Sequence, residues 1–185
     1  MQIHNKILLL VGIMGAGKTR TGKLLARRLG LSFIDSDHEV ARTANHSIPE
    51  IFEKYGEAEF RRLEREVMLR LLDGAPCVLA AGGGGFVSDE IRDAAKEKAI
   101  SVWLKADIET LVKRLSRGKG RPMLKNTDIG KRIEELLEKR APAYAEADIT
   151  IVTDGQTPQN IVRLIETELE RHADSRSKGS NPAQA

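Results

Sequence analysis

Three short groups of residues in this chain combine types and spacings that could do chemistry. The first is Gly12-Ile13-Met14-Gly15-Ala16-Gly17-Lys18-Thr19, which fits the phosphate-binding pattern G-x-x-x-x-G-K-[ST] with no mismatch. Gly12, Gly15 and Gly17 let the backbone turn tightly and bring successive N–H groups close to a polyphosphate. Lys18 would reach the β- and γ-phosphates as a point charge, and the Thr19 hydroxyl would ligate the Mg²⁺ that bridges them. The second group is Asp35-Ser36-Asp37, two carboxylates at i and i+2. One could hold Mg²⁺ through water and the other accept a hydrogen bond from an attacking hydroxyl; alternatively, Asp37 merely caps a helix. The third is Gly82-Gly83-Gly84-Gly85, whose backbone could approach a ligand closely and donate N–H groups to it, or could simply turn.

These groups need elements to hold them, and the chain supplies an alternation of strand and helix. Apolar runs predict strands at Lys6 to Val11, Ser32 to Asp35, Cys77 to Ala80, Ile100 to Leu104 and Asp148 to Val152. A helix is expected from Lys18 to Leu29, its free N–H groups adding about half a positive charge to the loop before it. Ser47-Ile48-Pro49-Glu50 reads as a capping box, and Thr157-Pro158 as an N-cap with proline at the first helical position. Between Glu57 and Leu72, Phe60, Leu63, Val67 and Leu71 recur at helical spacing, so that face packs inward with Arg61 at its edge. Such an alternation implies a parallel sheet covered on both faces, with ligands collecting at the carboxyl ends of its strands. Each of the three groups follows a predicted strand.

Composition narrows the possibilities further. A chain of 185 residues with 41% hydrophobic and 31% charged residues suits one globular α/β domain. No apolar run approaches the ~20 residues of a membrane span, and the N-terminus lacks the layout of a signal peptide, so a cytoplasmic protein is expected. The net charge of +3 is too small to indicate nucleic acid. The single cysteine, Cys77, reads as a core residue, and the histidines at 4, 38, 46 and 172 show no metal-ligand spacing. Ser116-Arg117-Gly118-Lys119-Gly120-Arg121-Pro122 is glycine-rich and basic, as a flap over a phosphate site or a plain solvated loop would be. Residues 173–185 are small and polar and are expected to be disordered, leaving 1–172 as the domain.

Taken together, the P-loop, Asp35-x-Asp37, Phe60-Arg61, the Gly82 to Gly84 run, Arg121-Pro122 and Arg140-x-Pro142-x-Tyr144 resemble the shikimate kinases, in order, from about Lys6 to Arg171. The resemblance implies a nucleoside-monophosphate-kinase-like fold. Its five-stranded parallel sheet would run in the order 2-3-1-4-5, with helices on both faces, a substrate-binding helical segment and a lid at about 117–126. The implied reaction is MgATP plus shikimate giving shikimate 3-phosphate and ADP, on the route to chorismate and the aromatic amino acids, with a monomer expected. It would make Lys18, Asp37 and Arg121 catalytic, with Asp37 as base toward the 3-hydroxyl and Arg121 carried in by the lid. Arg61 and Arg140 would bind the carboxylate, the backbone at Gly82, Gly83 and Gly84 would line the shikimate site, and Asp35 would join Thr19 at Mg²⁺ through water. ATP would meet Gly12, Gly15, Ala16, Gly17, Lys18, Thr19 and Arg121. Its adenine would lie between Arg114 or Arg117 and the loop Asp154 to Pro158, where Gln156 and Pro158 are the candidates.

Absent the resemblance, Arg61 and Arg140 would be read as pairing with glutamates such as Glu57, Glu64 or Glu138. Two positions depart from the family pattern. Ala81 stands where a Ser or Thr is usual before the glycine run, which removes a hydroxyl from around the metal's water, and Met123 replaces leucine after Arg-Pro. A gluconate kinase would share the P-loop and lid but has no reason to carry Phe60-Arg61, the glycine run and Arg140. A nucleoside monophosphate kinase would need a base pocket, and a nucleotide-dependent regulatory module would bind without turnover.

Overall fold

A computed structural model describes residues 5–116 and 129–179, with side chains to residue 175. Five strands form one wholly parallel sheet in the order β2-β3-β1-β4-β5: β1 Ile7–Val11, β2 Ser32–Asp35, β3 Cys77–Ala80, β4 Ala99–Lys105 and β5 Ile149–Val152. Burial follows position in the sheet. Every residue of β1 and β3 is buried, as expected for strands covered on both faces, whereas the edge strand β5 alternates buried and exposed. Cys77 is one of the buried residues of β3, in keeping with a core role.

Helices α1 Lys18–Leu29, α4 Asp89–Lys98, α5 Ile108–Ser116, α6 Ile129–Tyr144 and α7 Pro158–Gly179 accompany the sheet. α1 turns Leu25 and Ala26 into the core and ends at Gly30 in the left-handed conformation. α7 is anchored by Ile161, Val162, Ile165 and Leu169, and its first turn is capped by Thr157, whose Oγ1 accepts the Asn160 N–H at 3.2 Å. Arg28 of α1 and Glu166 of α7 form a two-pronged ion pair at 2.7 and 2.8 Å. α7 continues past residue 172, where order was expected to end, as far as Gly179. A helix already docked adds one hydrogen bond per residue fixed, so it can run on past its apolar anchor.

Two further helices, α2 Ser36–Ala44 and α3 Ile48–Leu72, enclose a small core of their own, built from Val40, Ile51, Phe60 and Val67 with Leu63 and Leu71 against it. The capping box forms as predicted: the Ser47 N–H donates to Glu50 at 2.8 Å while Ser47 Oγ accepts the Glu50 N–H. α3 is kinked at Gly56, whose φ of 79° and ψ of 176° lie where only glycine sits without strain. The expected lid, 117–126, lies outside the described residues, and Arg117 and Arg121 with it. No helix among the described residues is long and apolar enough to cross a membrane.

Candidate active site

At the carboxyl ends of the strands, the segments after β1, β2 and β3 meet in a cavity of about 540 Å³. Its walls include Gly15, Lys18 and Thr19 after β1, Asp35 at the end of β2 and Asp37 just beyond it, Gly83 after β3, and Arg114 of α5. The first strand delivers the glycine loop against the end of β4. A Cβ on Gly12, whose φ is 137°, would stand 2.8 Å from the Leu104 carbonyl, so this corner admits no side chain. Lys18 donates its ammonium to the carbonyls of Gly12 (2.6 Å) and Ile13 (3.1 Å), which holds the charge at the mouth of the loop. The backbone N–H groups of the first turn of α1 point the same way.

Arg114 ties the loop to the far side of the sheet. One guanidinium nitrogen donates to the carbonyl of Ala16 (3.2 Å) and to Thr153 Oγ1 (3.1 Å), and the other to the Thr153 carbonyl (2.7 Å). Arg114 thus spans the glycine loop and the segment after β5, while Arg117, the other candidate for the adenine side, lies outside the described residues. Gln156 follows Thr153 in that segment, its N–H donating to the Thr153 carbonyl at 3.3 Å, and Pro158 opens α7. Neither is among the residues that line the cavity; Gln156 is linked to Arg114 through Thr153.

The two carboxylates after β2 have separate partners. Asp35 caps α2: its Oδ1 accepts the Asp37 N–H at 3.2 Å, and its Oδ2 accepts the Thr19 hydroxyl at 2.9 Å. The capping duty therefore falls to Asp35. Asp37, in the first turn of α2, brings its carboxylate to the cavity wall beside Gly82, where a Cβ would stand 2.2 Å from Asp37 Oδ1. Thr19 and Asp35 together present a hydroxyl and a carboxylate oxygen, the hard donors that Mg²⁺ prefers. Among the described residues no group of three His, Cys, Asp or Glu is placed to hold a metal ion.

The glycine run lies between four charged side chains, Asp37, Arg61, Glu64 and Arg140. A Cβ on Gly84 would fall 2.2 Å from Arg61 Nη1, and Arg140 Nη1 donates to the Gly83 carbonyl at 2.9 Å. Arg61 and Arg140 do not line the main cavity; they border the run that continues its wall. The ion-pair reading of Arg61 is realised, its guanidinium pairing with Glu64 at 2.6 Å and with Glu57 at 3.3 Å, and the same guanidinium lies beside Gly84. Arg140 makes no such ion pair among the described residues, and its hydrogen bond goes to backbone. Glu64, which the sequence offers only as an alternative ion-pair partner, is 3% exposed and touches the space beside Gly82. Burial pushes its carboxyl above the ordinary glutamate range, against the pull of Arg61. Its sequence signal was present: position 64 falls on the inward stripe, four residues after Phe60 and three before Val67. Ala81 is buried and continues the sheet, its N–H donating to the Leu10 carbonyl at 3.0 Å, and it contributes no polar side-chain atom to the wall it lines.

Likeness to known proteins accords with this arrangement. The family model for shikimate kinase matches residues 14–170. A shikimate kinase of Ruegeria pomeroyi is 49% identical over 153 residues, covering 83% of this chain and 78% of the relative. A solved structure of the Acinetobacter baumannii shikimate kinase in complex with shikimate superposes with a TM-score of 0.84 at 37% identity, covering 90% of this chain and 94% of the other. A gluconokinase from Sinorhizobium meliloti has a TM-score of 0.66 at 18% identity, covering 96% of this chain and 99% of the other, which marks a common fold and nothing more. With half-identical relatives and a matching family model across most of its length, the chain belongs to the shikimate kinase family.

Proposed function

We infer that this protein transfers the γ-phosphate of ATP to the 3-hydroxyl of shikimate, giving shikimate 3-phosphate and ADP in the synthesis of chorismate and the aromatic amino acids. The observation that carries this is a single cavity in which the Lys18 ammonium and the Asp37 carboxylate share a wall, and that wall runs on into a glycine run bordered by Arg61 and Arg140. One end is built for polyphosphate and the other for a small acid.

Phosphoryl transfer has a loose transition state, so catalysis is mostly positioning and charge stabilisation. Lys18 exchanges its loop carbonyls for the β- and γ-oxygens. Thr19, with Asp35 acting through water, would hold Mg²⁺, which when bound neutralises charge on those oxygens. Asp37 orients the 3-hydroxyl and takes its proton as the oxygen attacks. Arg61 and Arg140 pair with the carboxylate; a guanidinium has five N–H donors, so Arg61 can keep Glu64 as an anchor while it offers others to substrate. Arg121, outside the described residues, is assigned to the transferring group, and Arg114 with Gln156 and Pro158 to the adenine side. With this activity we associate a cytoplasmic monomer with no nucleic-acid or membrane partner; the net charge of +3 accords with that.

The test removes the charge of the acceptor. Each charge-assisted hydrogen bond that disappears when the carboxylate becomes a carboxamide costs roughly 1.5 to 3 kcal/mol, so shikimamide should be a far poorer acceptor than shikimate. Arg61→Ala and Arg140→Ala should each weaken shikimate yet lose little more against the amide, which isolates the pairing in a double cycle. Equal turnover of amide and acid, or ADP release in a coupled assay with gluconate or AMP rather than shikimate, would overturn the assignment.

A further inference from the structure

Two buried hydroxyls with no part in the mechanism above hold the glycine run from opposite sides. Ser36, between the two carboxylates, is fully buried, and its Oγ accepts the Gly82 N–H at 2.8 Å. Tyr144, at the end of α6 and also fully buried, donates its phenolic O–H to the Gly83 carbonyl, the same oxygen that accepts from Arg140. The remaining carbonyls of the run are taken by turns, Gly82 by the Gly85 N–H and Gly84 by the Val87 N–H, each at 3.1 Å. Among the described residues, the backbone N–H groups of Gly83 and Gly84 donate to nothing. Gly82 itself, expected to line the site with its N–H, has that donor committed to Ser36.

We propose that Ser36 and Tyr144 are positioning residues of the acceptor site, fixing the Gly82–Gly83 segment so that the Gly83 and Gly84 amides, Asp37 and Arg140 are presented to shikimate in one geometry. Glycine is the least constrained residue, and consecutive glycines at a strand end hold no shape of their own. The shape comes from bonds made by better-fixed elements, the start of α2 on one side and the end of α6 on the other. The same strap sets two functional groups. Asp37 packs against Gly82, and Arg140 is bonded to Gly83, so movement of the strap displaces acid-base and carboxylate contacts together. The nucleotide loop has bonds of its own that do not pass through the run, from Arg114 to the Ala16 carbonyl and from Lys18 to the Gly12 carbonyl, and it meets the run where a Cβ on Gly83 would stand 3.6 Å from the Met14 nitrogen. This proposal rests on the shikimate reading of the site.

The test is steady-state kinetics of Tyr144→Phe and Ser36→Ala, with shikimate and ATP varied separately and melting temperature measured in parallel. Tyr144→Phe keeps the ring that packs against Trp103 at 5.9 Å between centroids and removes only the hydroxyl. Its KM for shikimate should rise about three- to tenfold, the scale of one hydrogen bond, with the KM for ATP unchanged. Ser36→Ala leaves a buried N–H unsatisfied and should act in the same direction more strongly, with faster amide exchange at Gly82; Ser36→Thr, which keeps the acceptor oxygen, should restore shikimate KM. A purely structural role predicts a lower melting temperature with both KM values unmoved, and that result would overturn the proposal, as would equal rises in both. If Ser36→Ala fails to fold, Tyr144→Phe decides alone. Absence of shikimate turnover by the unmodified protein would overturn the substrate reading and this proposal together, whereas normal turnover with unmoved variants overturns this proposal only.

Discussion

Asp37 and Glu64 both border Gly82 and are two carboxylates with opposite expectations. Asp37→Asn preserves shape but removes the group that would accept the proton of the 3-hydroxyl, so phosphoryl transfer should fall by roughly 10²- to 10⁴-fold while ATP binding persists. Calorimetric titration with ATP beside the coupled assay checks this; loss of ATP binding would move Asp37 to the nucleotide side. Glu64 should be visible in the pH dependence of stability. Its carboxyl is raised by burial, so between the ordinary glutamate range and the raised value the folded chain binds more protons than the unfolded one. Its contribution is therefore fully present below the ordinary range and is lost as pH rises through the raised value. Carboxylates lowered by their partners, such as Glu39 beside Arg42, slope the other way but are common to both proteins and cancel in a comparison. The melting temperature of the wild type minus that of Glu64→Gln should accordingly shrink as pH rises through that window; parallel curves would show that Glu64 titrates normally.

The glycine run shows how an element can depend on side chains that it does not carry. Alanine at 82 would place a Cβ 2.2 Å from Asp37 Oδ1 and 2.9 Å from Oε1 of the buried Glu64, so the carboxylate assigned as base would have to move. At 84 the obstacle is the far end of a flexible arginine, 2.2 Å away, which can swing aside. Gly82→Ala should therefore abolish measurable turnover, whereas Gly84→Ala should stay folded and raise shikimate KM by displacing Arg61, with ATP KM unchanged; equal effects of the two in the kinetic assay would contradict this account. The elements themselves were readable because their signals are local. β2 and β3 have the bounds that their apolar runs predict, α1 spans Lys18–Leu29, and Ser47 and Glu50 form their box. What was not readable depends on contacts between particular groups in space. No spacing rule says that Asp35 rather than Asp37 caps α2, or that the Gly82 N–H is spoken for by Ser36 across 46 positions. The end of α7 at Gly179 was not readable either, because small polar residues suit a frayed helix as well as a coil.

At the scale of the whole molecule, the alternation of strand and helix dictated a parallel sheet, but the strand order came from family resemblance, since periodicity carries no information about which strand neighbours which. The observed order has a consequence for how the protein comes into being. β1 pairs only with β3 and β4, Leu8 opposite Val78 and Ile7 opposite Ala99, so no strand of the first third of the chain can pair with another until Cys77–Ala80 has been made. At ~5–20 residues per second, synthesis leaves the wholly apolar Ile7–Val11 waiting several seconds for both partners, a bare segment of the kind that chaperones hold. The phosphate loop lies so close to the end of β4 that a Cβ on Gly12 would stand 2.8 Å from the Leu104 carbonyl, so its final packing waits for that strand. A nascent chain stalled with residues 1–98 exposed should accordingly fail to be retained by immobilised ATP, and one stalled with 1–179 exposed should be captured; retention of the shorter chain would show that the loop forms without β4. The anion site, though it opens the sequence, thus waits for a strand that ends at Lys105 of 185 residues.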